Sequence, residues 1–250
     1  MIDLKEDLIN YLSELNINYT AEDIEKVLKF LSIVFNYNQT KNIIGTKELE
    51  NIFYRHFLDC LSIFSIKDYF SQKLLCGKYV LDLGSGAGLP GILIAIFIKD
   101  ANIVLIEKNN KKAEFLKFAA EELGLKNVYA VNKPAEEIGR ENRYREKFDF
   151  CIARAVAKIE ILSELIIPFC KINGKIFLYK SSKALEETSK IRSFSKKLGI
   201  FKQEIFETEV PRLDEYRAFI VMEKNKVTPL SFPRNYAVIK RESLFCKKES

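Results

Sequence analysis

The sequence predicts a doubly wound α/β fold, in which a mostly parallel sheet of seven strands carries helices on both faces. From residue 79 onward, short apolar runs of strand length alternate with segments whose apolar residues recur at helical spacing. We expect parallel strands, because each pair of parallel neighbours needs a crossover connection such as a helix. Before residue 71 only helical spacing occurs, which predicts an N-terminal helical extension packed on the sheet.

The first 70 residues form this helical region. Apolar residues fall at helical spacing through 3–35 and again through 47–66. Thr20 followed by Asp23 is typical of a capping box at the start of the second helix. The amide-rich stretch 35–42 interrupts the apolar pattern, so we expect a loop there.

The core, residues 71–223, contains the seven predicted strands and the helices between them. The strands are predicted at 79–83, 102–107, 127–131, 148–153, 174–180, 201–209 and 217–223. The helices are predicted at 90–98, 110–123, 158–170 and 183–198, with a short turn near 134–139. Only a loop containing Pro211 separates the last two strands, so we expect that pair to be antiparallel. Residues 224–250 form a basic tail, which we expect to extend over the surface of the same structural unit.

Composition limits the class of protein. A chain of 250 residues, 48% of them hydrophobic, can bury one sizeable core. The longest apolar runs, near 89–98, are too short to span a bilayer, and residues 1–7 lack the apolar region of a signal peptide. Five cysteines are dispersed without a C-x-x-C pair, which indicates reduced thiols in a cytoplasmic protein. A single histidine, His56, argues against a zinc site, and we expect no metal.

The net charge of +6 is unevenly distributed along the chain. Residues 1–30 carry a net −4, whereas 171–202 carry +7 and 224–250 carry +5. Two basic segments are typical of a protein with a polyanionic partner, and nucleic acid is favoured over a membrane surface. Charge alone leaves open the alternative of a solvated, lysine-rich surface.

A glycine-rich loop follows the first predicted strand and carries the main functional signal. Asp82, Gly84, Gly86 and Gly88 form a D-x-G-x-G-x-G pattern between a buried strand and an apolar helix. Glycines suit a backbone that turns sharply and approaches a ligand closely, and the amides at the start of the next helix carry partial positive charge. The spacing departs from the dinucleotide fingerprint G-x-G-x-x-G, because Leu89 occupies the place of the third glycine.

An acidic residue, Glu107, ends the second predicted strand, where a ribose hydroxyl would be bound. This order of strand, glycine loop, helix, strand and acid resembles the nucleoside-binding half of Rossmann-like methyltransferases that use S-adenosylmethionine (SAM). SAM is therefore the expected cofactor, in preference to a nicotinamide dinucleotide. The alternative is an ordinary βα turn whose glycines only allow the helix to pack.

Ligands in such sheets bind at the carboxyl ends of the strands, where the strand order reverses, and we expect the first and fourth strands to flank that point. Arg154 ends the fourth strand, either facing a ligand or paired with a neighbouring acid. After the third strand, a backbone amide of Ala135 or Glu136 could bind an adenine edge, although Glu136 could equally open a solvated helix. His56 lies on an apolar helix, where a packed, hydrogen-bonded role is favoured over that of a base.

Several segments together resemble the bacterial 16S ribosomal RNA guanine-N7 methyltransferase family, also called glucose-inhibited division protein B. Asp82–Gly91 matches the family's D-x-G-[ST]-G-x-G-L-P-G, whose L-P-G ending is more specific than the glycines. The weaker matches are Asn38 with Asn42, Arg55–Cys60, Lys111-Lys112 with Phe115-Leu116, and Ala153–Ala157. The chain departs mildly from the family pattern at Tyr37, Ile44, Cys60, Glu107 and Ala153.

The resemblance implies an enzyme that methylates N7 of a guanine in the 530 loop of 16S rRNA, guanine 527, on naked rRNA or the small ribosomal subunit. It implies SAM contacts at Gly84, Leu89, Ala135, Glu136 and Arg154, to which the loop pattern adds Gly86, Gly88 and Glu107. We expect Arg55, His56 and Arg154 to be positioning candidates, and the protein to be a monomer. The candidates for RNA binding are Lys180, Lys196, Lys197, Arg234 and Arg241.

Two other functions remain as alternatives. A SAM methyltransferase acting on a small molecule would not need the basic segments. A non-enzymatic RNA-binding protein on the same fold would not need the intact glycine loop, Glu107 and Arg154.

Overall fold

The computed structural model describes residues 3–154 and 157–241. Seven strands form one sheet: β1 Tyr79–Leu83, β2 Asn102–Ile106, β3 Val128–Val131, β4 Phe148–Arg154, β5 Cys170–Lys180, β6 Ile200–Val210 and β7 Leu213–Lys224. The α-helices are α1 Leu4–Glu14, α2 Ala21–Lys41, α3 Leu49–Ile52, α4 Asp59–Leu61, α5 Gln72–Leu75, α6 Gly91–Phe97, α7 Asn110–Glu122, α8 Ala135–Ile138, α9 Ile159–Ile166, α10 Ala184–Lys197 and α11 Tyr236–Arg241.

The sheet has the strand order β3-β2-β1-β4-β5-β7-β6. Strands β1 to β5 pair in parallel, whereas β7 is antiparallel to both β5 and β6. The predicted fold class is therefore confirmed, including the antiparallel final pair and the position of β1 and β4 at the reversal of strand order. Strand β7 begins four residues earlier than expected, at Leu213.

Hydrophobic cores cover both faces of the sheet, as a doubly wound fold requires. Side chains alternate along β1, so that Val80 belongs to one core and Leu81 to the other. The first core also contains residues of α1, α2, α6 and α7, which joins the helical extension to the sheet. The second core contains residues of α9 and α10.

The predicted loop at 35–42 is wrong, because α2 continues to Lys41. The amide of Asn38 is fully buried and bonds across the following turn, donating from Nδ2 to the Thr46 carbonyl and accepting at Oδ1 from the Ile44 amide. Asn42, with φ of 49°, ends the helix in the left-handed conformation. The amides in this stretch therefore hold the segment after the helix and do not break the helix itself.

The other boundaries differ mainly where a helix is irregular. The capping box of Thr20 and Asp23 is present, which confirms that prediction. Residues 47–66 are helical as expected, but a π-helical turn occupies Phe53–Leu58 and a 3₁₀ turn occupies Ser62–Ser65. The helix predicted at 158–170 ends at Ile166 and continues as a 3₁₀ turn, Ile167–Phe169.

The tail departs from the expectation of a purely extended segment, because its last described residues form α11. Cys60, Cys76, Cys151 and Cys170 are free thiols, and Cys246 lies outside the described residues. Among residues 3–154 and 157–241, no helix has the length and apolar character needed to cross a membrane. Within the same ranges, no cluster of His, Cys, Asp and Glu could hold a metal ion.

Candidate active site

The loop after β1 uses its glycines for two physical reasons. Gly84, Gly86 and Gly88 have φ values of 73°, 56° and 83°, in the region that favours glycine. At Gly88 a Cβ would also lie 2.5 Å from Cδ1 of Ile92, so helix α6 packs directly against the loop. The amides of Gly84 and Ser85 donate to the Ile106 carbonyl, at 2.8 and 3.1 Å, which ties the loop to the end of β2.

Asp82 supports this loop from inside the protein. Its carboxylate is buried, and Oδ2 accepts the Gly91 amide at 3.0 Å, joining the end of β1 to the start of α6. Burial raises the pKa of Asp82 to about 7, although the bond from Gly91 acts in the opposite direction. Asp82 therefore has a structural role in shaping the glycine loop.

Glu107 is oriented by two backbone amides. Its Oε2 accepts the Gly86 amide at 3.1 Å, and its Oε1 accepts the Asn109 amide at 2.8 Å. Only 8% of the residue is exposed, so the carboxylate is fixed at the end of β2. Each carboxylate oxygen keeps a second lone pair, which suits a vicinal diol such as that of ribose.

A cavity of about 210 Å³ lies at the carboxyl ends of β1, β2 and β3. Five of the predicted cofactor residues line it: Gly84, Gly86, Glu107, Ala135 and Glu136. The other three predicted cofactor residues do not line this cavity. Gly88 packs on Ile92, Leu89 is buried in the core, and Arg154 lines a second cavity. A glycine loop, a fixed carboxylate and the apolar side chains of Ile106 and Leu165 fit a nucleoside cofactor.

A second cavity of about 300 Å³ lies at the same edge of the sheet, beside the ends of β4 and β5 and the start of β7. Arg154, Lys180 and Arg217 line it, together with Asp59. Buried Asp59 holds both arginines, because Oδ2 accepts from Nε of Arg154 at 2.9 Å and Oδ1 accepts from Nε of Arg217 at 2.8 Å. The cavity therefore presents cations whose orientation is set by one carboxylate.

The helical extension holds Arg154 at two further points. Its Nη2 donates to the Arg55 carbonyl at 2.7 Å and lies 3.1 Å from Nδ1 of His56. Because a guanidinium can only donate, Nδ1 accepts and the proton of His56 is assigned to Nε2. Burial and the neighbouring Arg154 lower the pKa of His56 to about 4, so the ring is neutral at pH 7.

The irregular helix explains how these groups reach Arg154. Arg55 and His56 lie in the π-helical turn, and Asp59 follows it directly. A π turn adds a residue to the local repeat and is frequent at functional sites. Arg55 also pairs with Glu215 at 2.6 Å, which joins the extension to β7. The three positioning candidates therefore lie together beside the second cavity.

The predicted RNA-binding residues are dispersed over the molecule. Lys180 lines the second cavity and pairs with Glu187 at 2.7 Å. Lys196 and Lys197 are exposed in the last turn of α10, which runs from the carboxyl edge of the sheet to the opposite edge. Arg234 binds the buried carboxylate of Glu164, and Arg241 ends α11. Of these five residues, only Lys180 lines one of the two cavities.

Two residues at this edge were missed by sequence reasoning, Arg217 in β7 and Tyr236 at the start of α11. The signal for Arg217 was available, since an antiparallel last strand must begin at the edge where the parallel strands end. The signal for Tyr236 was absent, because the tail has no spacing that predicts where it packs. In the Ala153–Ala157 motif, Ala155 and Val156 lie outside the described residues.

A family model, that of rRNA small subunit methyltransferase G (GidB), matches residues 23–214. The chain belongs to this family. It is 33% identical to ribosomal RNA small subunit methyltransferase G of Caldanaerobacter subterraneus subsp. tengcongensis, over 96% of this chain and 98% of that protein. It is 35% identical to the protein of the same name from Lachnoclostridium phytofermentans, over 90% and 91% of the two chains. The predicted family and enzyme class are therefore confirmed.

Solved structures support the fold of this family member. One is a putative S-adenosyl-L-methionine-dependent methyltransferase of Methanococcus maripaludis, with a TM-score of 0.54, 13% identity and coverage of 84% of this chain and 96% of that one. Another is a SAM-dependent methyltransferase of Aquifex aeolicus, with a TM-score of 0.52, 15% identity and coverage of 77% and 97%. At these identities the likeness shows the fold alone.

Proposed function

We propose that the protein transfers the methyl group of SAM to N7 of a guanine in the 530 loop of 16S rRNA, guanine 527, and acts as a cytoplasmic monomer. The observation that carries this proposal is the pair of cavities at one edge of the sheet. One has the glycine loop and carboxylate that suit a nucleoside cofactor, and the other has the cations that suit a nucleotide acceptor.

The cavity lined by Glu107 would hold the cofactor. The free lone pairs of Glu107 would accept the ribose hydroxyls, and the loop at Gly84 and Gly86 allows close approach of the ligand to the backbone. Ala135 and Glu136 open α8, where first-turn amides have no intrahelical acceptor, so they can bind the adenine edge. When bound, SAM supplies an activated methyl group on a sulfonium centre.

The cavity lined by Arg154 and Arg217 would hold the guanine. The Hoogsteen edge of guanine presents N7 and the acceptor O6, and guanidinium or ammonium groups are the usual donors to that edge. A cation that donates to O6 would orient the base and leave the N7 lone pair free to take the methyl group. N7 carries its lone pair at neutral pH, so no proton has to be removed before methyl transfer. His56 is neutral and already accepts from Arg154, which agrees with a positioning role and not with that of a base. The residues would act by orientation and electrostatics.

The RNA backbone would cross the carboxyl edge of the sheet. Arg55, Lys180 and Lys183 lie at or beside this edge, where the guanine must enter. A guanine that is stacked in RNA has to leave its stack to enter this cavity. Arg234 contributes to the fold through Glu164, so we give it no RNA contact in this proposal.

Methyl transfer to purified 16S rRNA tests the proposal. With SAM labelled in the methyl group, we expect label in the RNA and 7-methylguanosine in its nuclease digest. Calorimetry should give micromolar affinity for SAM and no measurable affinity for NAD. Label in a position other than N7, or SAM binding without transfer to rRNA or the small subunit, would contradict the proposal.

A further inference from the structure

The segment 226–241 follows the last strand and lies outside the residues that the family model matches. It nevertheless lies against the cofactor cavity, where Tyr236 forms part of the wall. The charge of the tail predicts a role in RNA binding. Its contacts point to a different role.

A first set of contacts is made by Arg145, which is 9% exposed. Its guanidinium donates to the backbone carbonyls of Thr228 at 2.6 Å, Pro229 at 3.1 Å and Phe232 at 2.7 Å. It also donates to the Gly139 carbonyl at 3.1 Å, just after α8. Arg145 therefore fixes three carbonyls of the tail relative to the helix that carries Ala135 and Glu136.

A second set of contacts uses acidic side chains. Glu164 of α9 is fully buried, and its Oε1 accepts from the backbone amide and from Nε of Arg234, at 2.8 and 3.0 Å. Glu146 accepts from the Thr228 amide at 2.7 Å. A buried charge without its partner is strongly destabilising, so these contacts make the tail an integral part of the fold.

These contacts determine the position of Tyr236, the first residue of α11. Ile239, one turn later, is 1% exposed and belongs to the core formed with α9 and α10, so the short helix has a fixed orientation. The ring of Tyr236 faces Lys108, whose Nζ lies 4.9 Å from the ring centroid. Lys108 directly follows Glu107, so the ring lies beside the end of β2.

We propose that Tyr236 is a cofactor-binding residue, whose ring packs against the adenosine end of SAM. In this inference, the identity of the cofactor rests on the proposed function. The adenosine end is favoured because Tyr236 shares its cavity with Glu107, the ribose-binding candidate, and with Ala135 and Glu136, the candidates for the adenine edge. Aromatic rings stack well on purine bases, and a tyrosine fixed by packing loses little freedom when it does so.

A tryptophan probe tests the contact directly. The sequence contains no tryptophan, so Tyr236→Trp gives a protein with a single indole fluorophore. We expect its emission to change saturably on addition of SAM, S-adenosylhomocysteine or adenosine, and to stay unchanged with methionine. If calorimetry shows SAM bound to this variant while the emission is constant, Tyr236 does not contact the cofactor and the inference is wrong.

Affinity measurements give a second test with a matched control. We expect Tyr236→Ala to weaken binding of SAM and S-adenosylhomocysteine by about tenfold each, and Tyr236→Phe to bind nearly as well as the wild type. The control is Tyr129→Ala, which removes an exposed tyrosine of β3 that lines a different cavity. Equal SAM affinity of the wild type and Tyr236→Ala would overturn this inference alone, whereas a wild type without SAM affinity would overturn the proposed function.

Discussion

Asp59 is the residue on which the arrangement of the second cavity depends. Its two oxygens bind Arg154 and Arg217, from β4 and β7, and its own position follows from the π turn before it. A carboxylate that is buried between two guanidinium groups orients both, and the geometry is lost if the charge is removed. Asp59 thus sets the orientation of both arginines, although Asp59 itself is buried.

Asp59→Asn should separate orientation from cofactor binding. We expect the free energy of unfolding to fall by about 2–3 kcal/mol. The loss should not exceed the usual cost of breaking a buried ion pair, because both arginine side chains are partly exposed. The turnover rate with rRNA should fall more than tenfold, while the Kd for SAM changes little. Denaturant unfolding and single-turnover methylation measure the two effects. Glu215→Gln is the control, since its ion pairs are exposed. Equal loss of stability in both variants would contradict the role given to Asp59.

His56 should not act as a base in methyl transfer. Burial and Arg154 lower its pKa from 6.5 to about 4, so the ring stays neutral between pH 6.5 and 8.5. We expect the single-turnover rate to be flat over this range, and His56→Gln to cost about tenfold or less through poorer packing. Quenched-flow methyl transfer at saturating SAM and rRNA measures both. A bell-shaped profile that disappears in His56→Gln would identify His56 as a general base.

Asp82 should affect stability and not the rate of methyl transfer, because it bonds to Gly91 and lines neither cavity. Its pKa rises from 3.8 to about 7 in the folded protein, so the folded state holds this proton more tightly than the unfolded chain does. The contribution of Asp82 to stability should therefore be greatest below about pH 4 and should decline as the pH rises towards 7. Denaturant unfolding of the wild type and Asp82→Asn over this range measures it, and identical pH profiles of the two would contradict the assignment.

At the scale of elements, regular hydrophobic spacing was sufficient to predict the strands and most helices, because burial on one or both faces leaves a period of two or of 3.6. The spacing failed at 35–42. The buried side chain of Asn38 forms hydrogen bonds with the backbone that follows the helix, but in the sequence an amide residue is typical of a loop. The spacing also missed α11, a short helix whose preceding segment is bound by Glu164 and Arg145, two residues that are distant in sequence.

The part of the candidate site that has a local sequence pattern was predictable. Glycines and an acid at the end of a strand carry local signals, and Gly84, Gly86 and Glu107 line the cavity as the loop pattern indicated. Arg217 could be found only from the predicted topology of the last strand, and Tyr236 comes to the site through long-range packing that leaves no local pattern. The antiparallel β7 places Arg217 at the edge, and the anchored tail places Tyr236.

The packing of the glycine loop on α6 can be tested at Gly88. A Cβ at Gly88 would meet Ile92 at 2.5 Å, whereas one at Gly124 would have no neighbouring atom within 4 Å among the described residues, and both glycines have positive φ. Gly88→Ala and Gly124→Ala therefore share the cost of the left-handed conformation, about 1–2 kcal/mol. We expect Gly88→Ala to be destabilised by a further 1–3 kcal/mol, roughly the cost of overpacking a core, and to bind SAM more weakly. Similar unfolding midpoints and SAM affinities for the two variants would show that the loop tolerates the added methyl group.

At the scale of the whole molecule, the two edges of the sheet carry different features. The carboxyl edge carries both cavities and the ion pairs between the helical extension and β7. The opposite edge receives the end of α10, with Lys196 and Lys197. Basic residues at both edges contribute to the net charge. Under the proposed function, those at the carboxyl edge would contact the nucleotides that flank a bound guanine.

Two pairs of lysines test where the RNA lies. We expect Lys180→Gln with Lys183→Gln to weaken rRNA binding and to reduce the slope of log affinity against log salt by roughly 0.7–0.9 for each phosphate that the variant no longer neutralises. The matched pair, Lys196→Gln with Lys197→Gln, should have the smaller effect, although these residues are RNA-binding candidates by sequence. Filter binding over a range of salt concentrations measures both slopes. A change confined to the Lys196 and Lys197 variant would place the RNA on the other edge.

The most direct test of the proposed reaction is the mapping of methylated guanines in 16S rRNA from cells with and without the gene. Mass spectrometry of defined fragments should find 7-methylguanosine at guanine 527 of the 530 loop when the gene is present, and unmodified guanine when it is deleted. Expression of the wild-type chain should restore the modification, and Arg154→Ala should restore little of it, because that change removes the cation held by Asp59 beside the site. An N7-methylated guanine that persists at this position without the gene, or a deletion strain whose rRNA is altered elsewhere, would contradict the assignment.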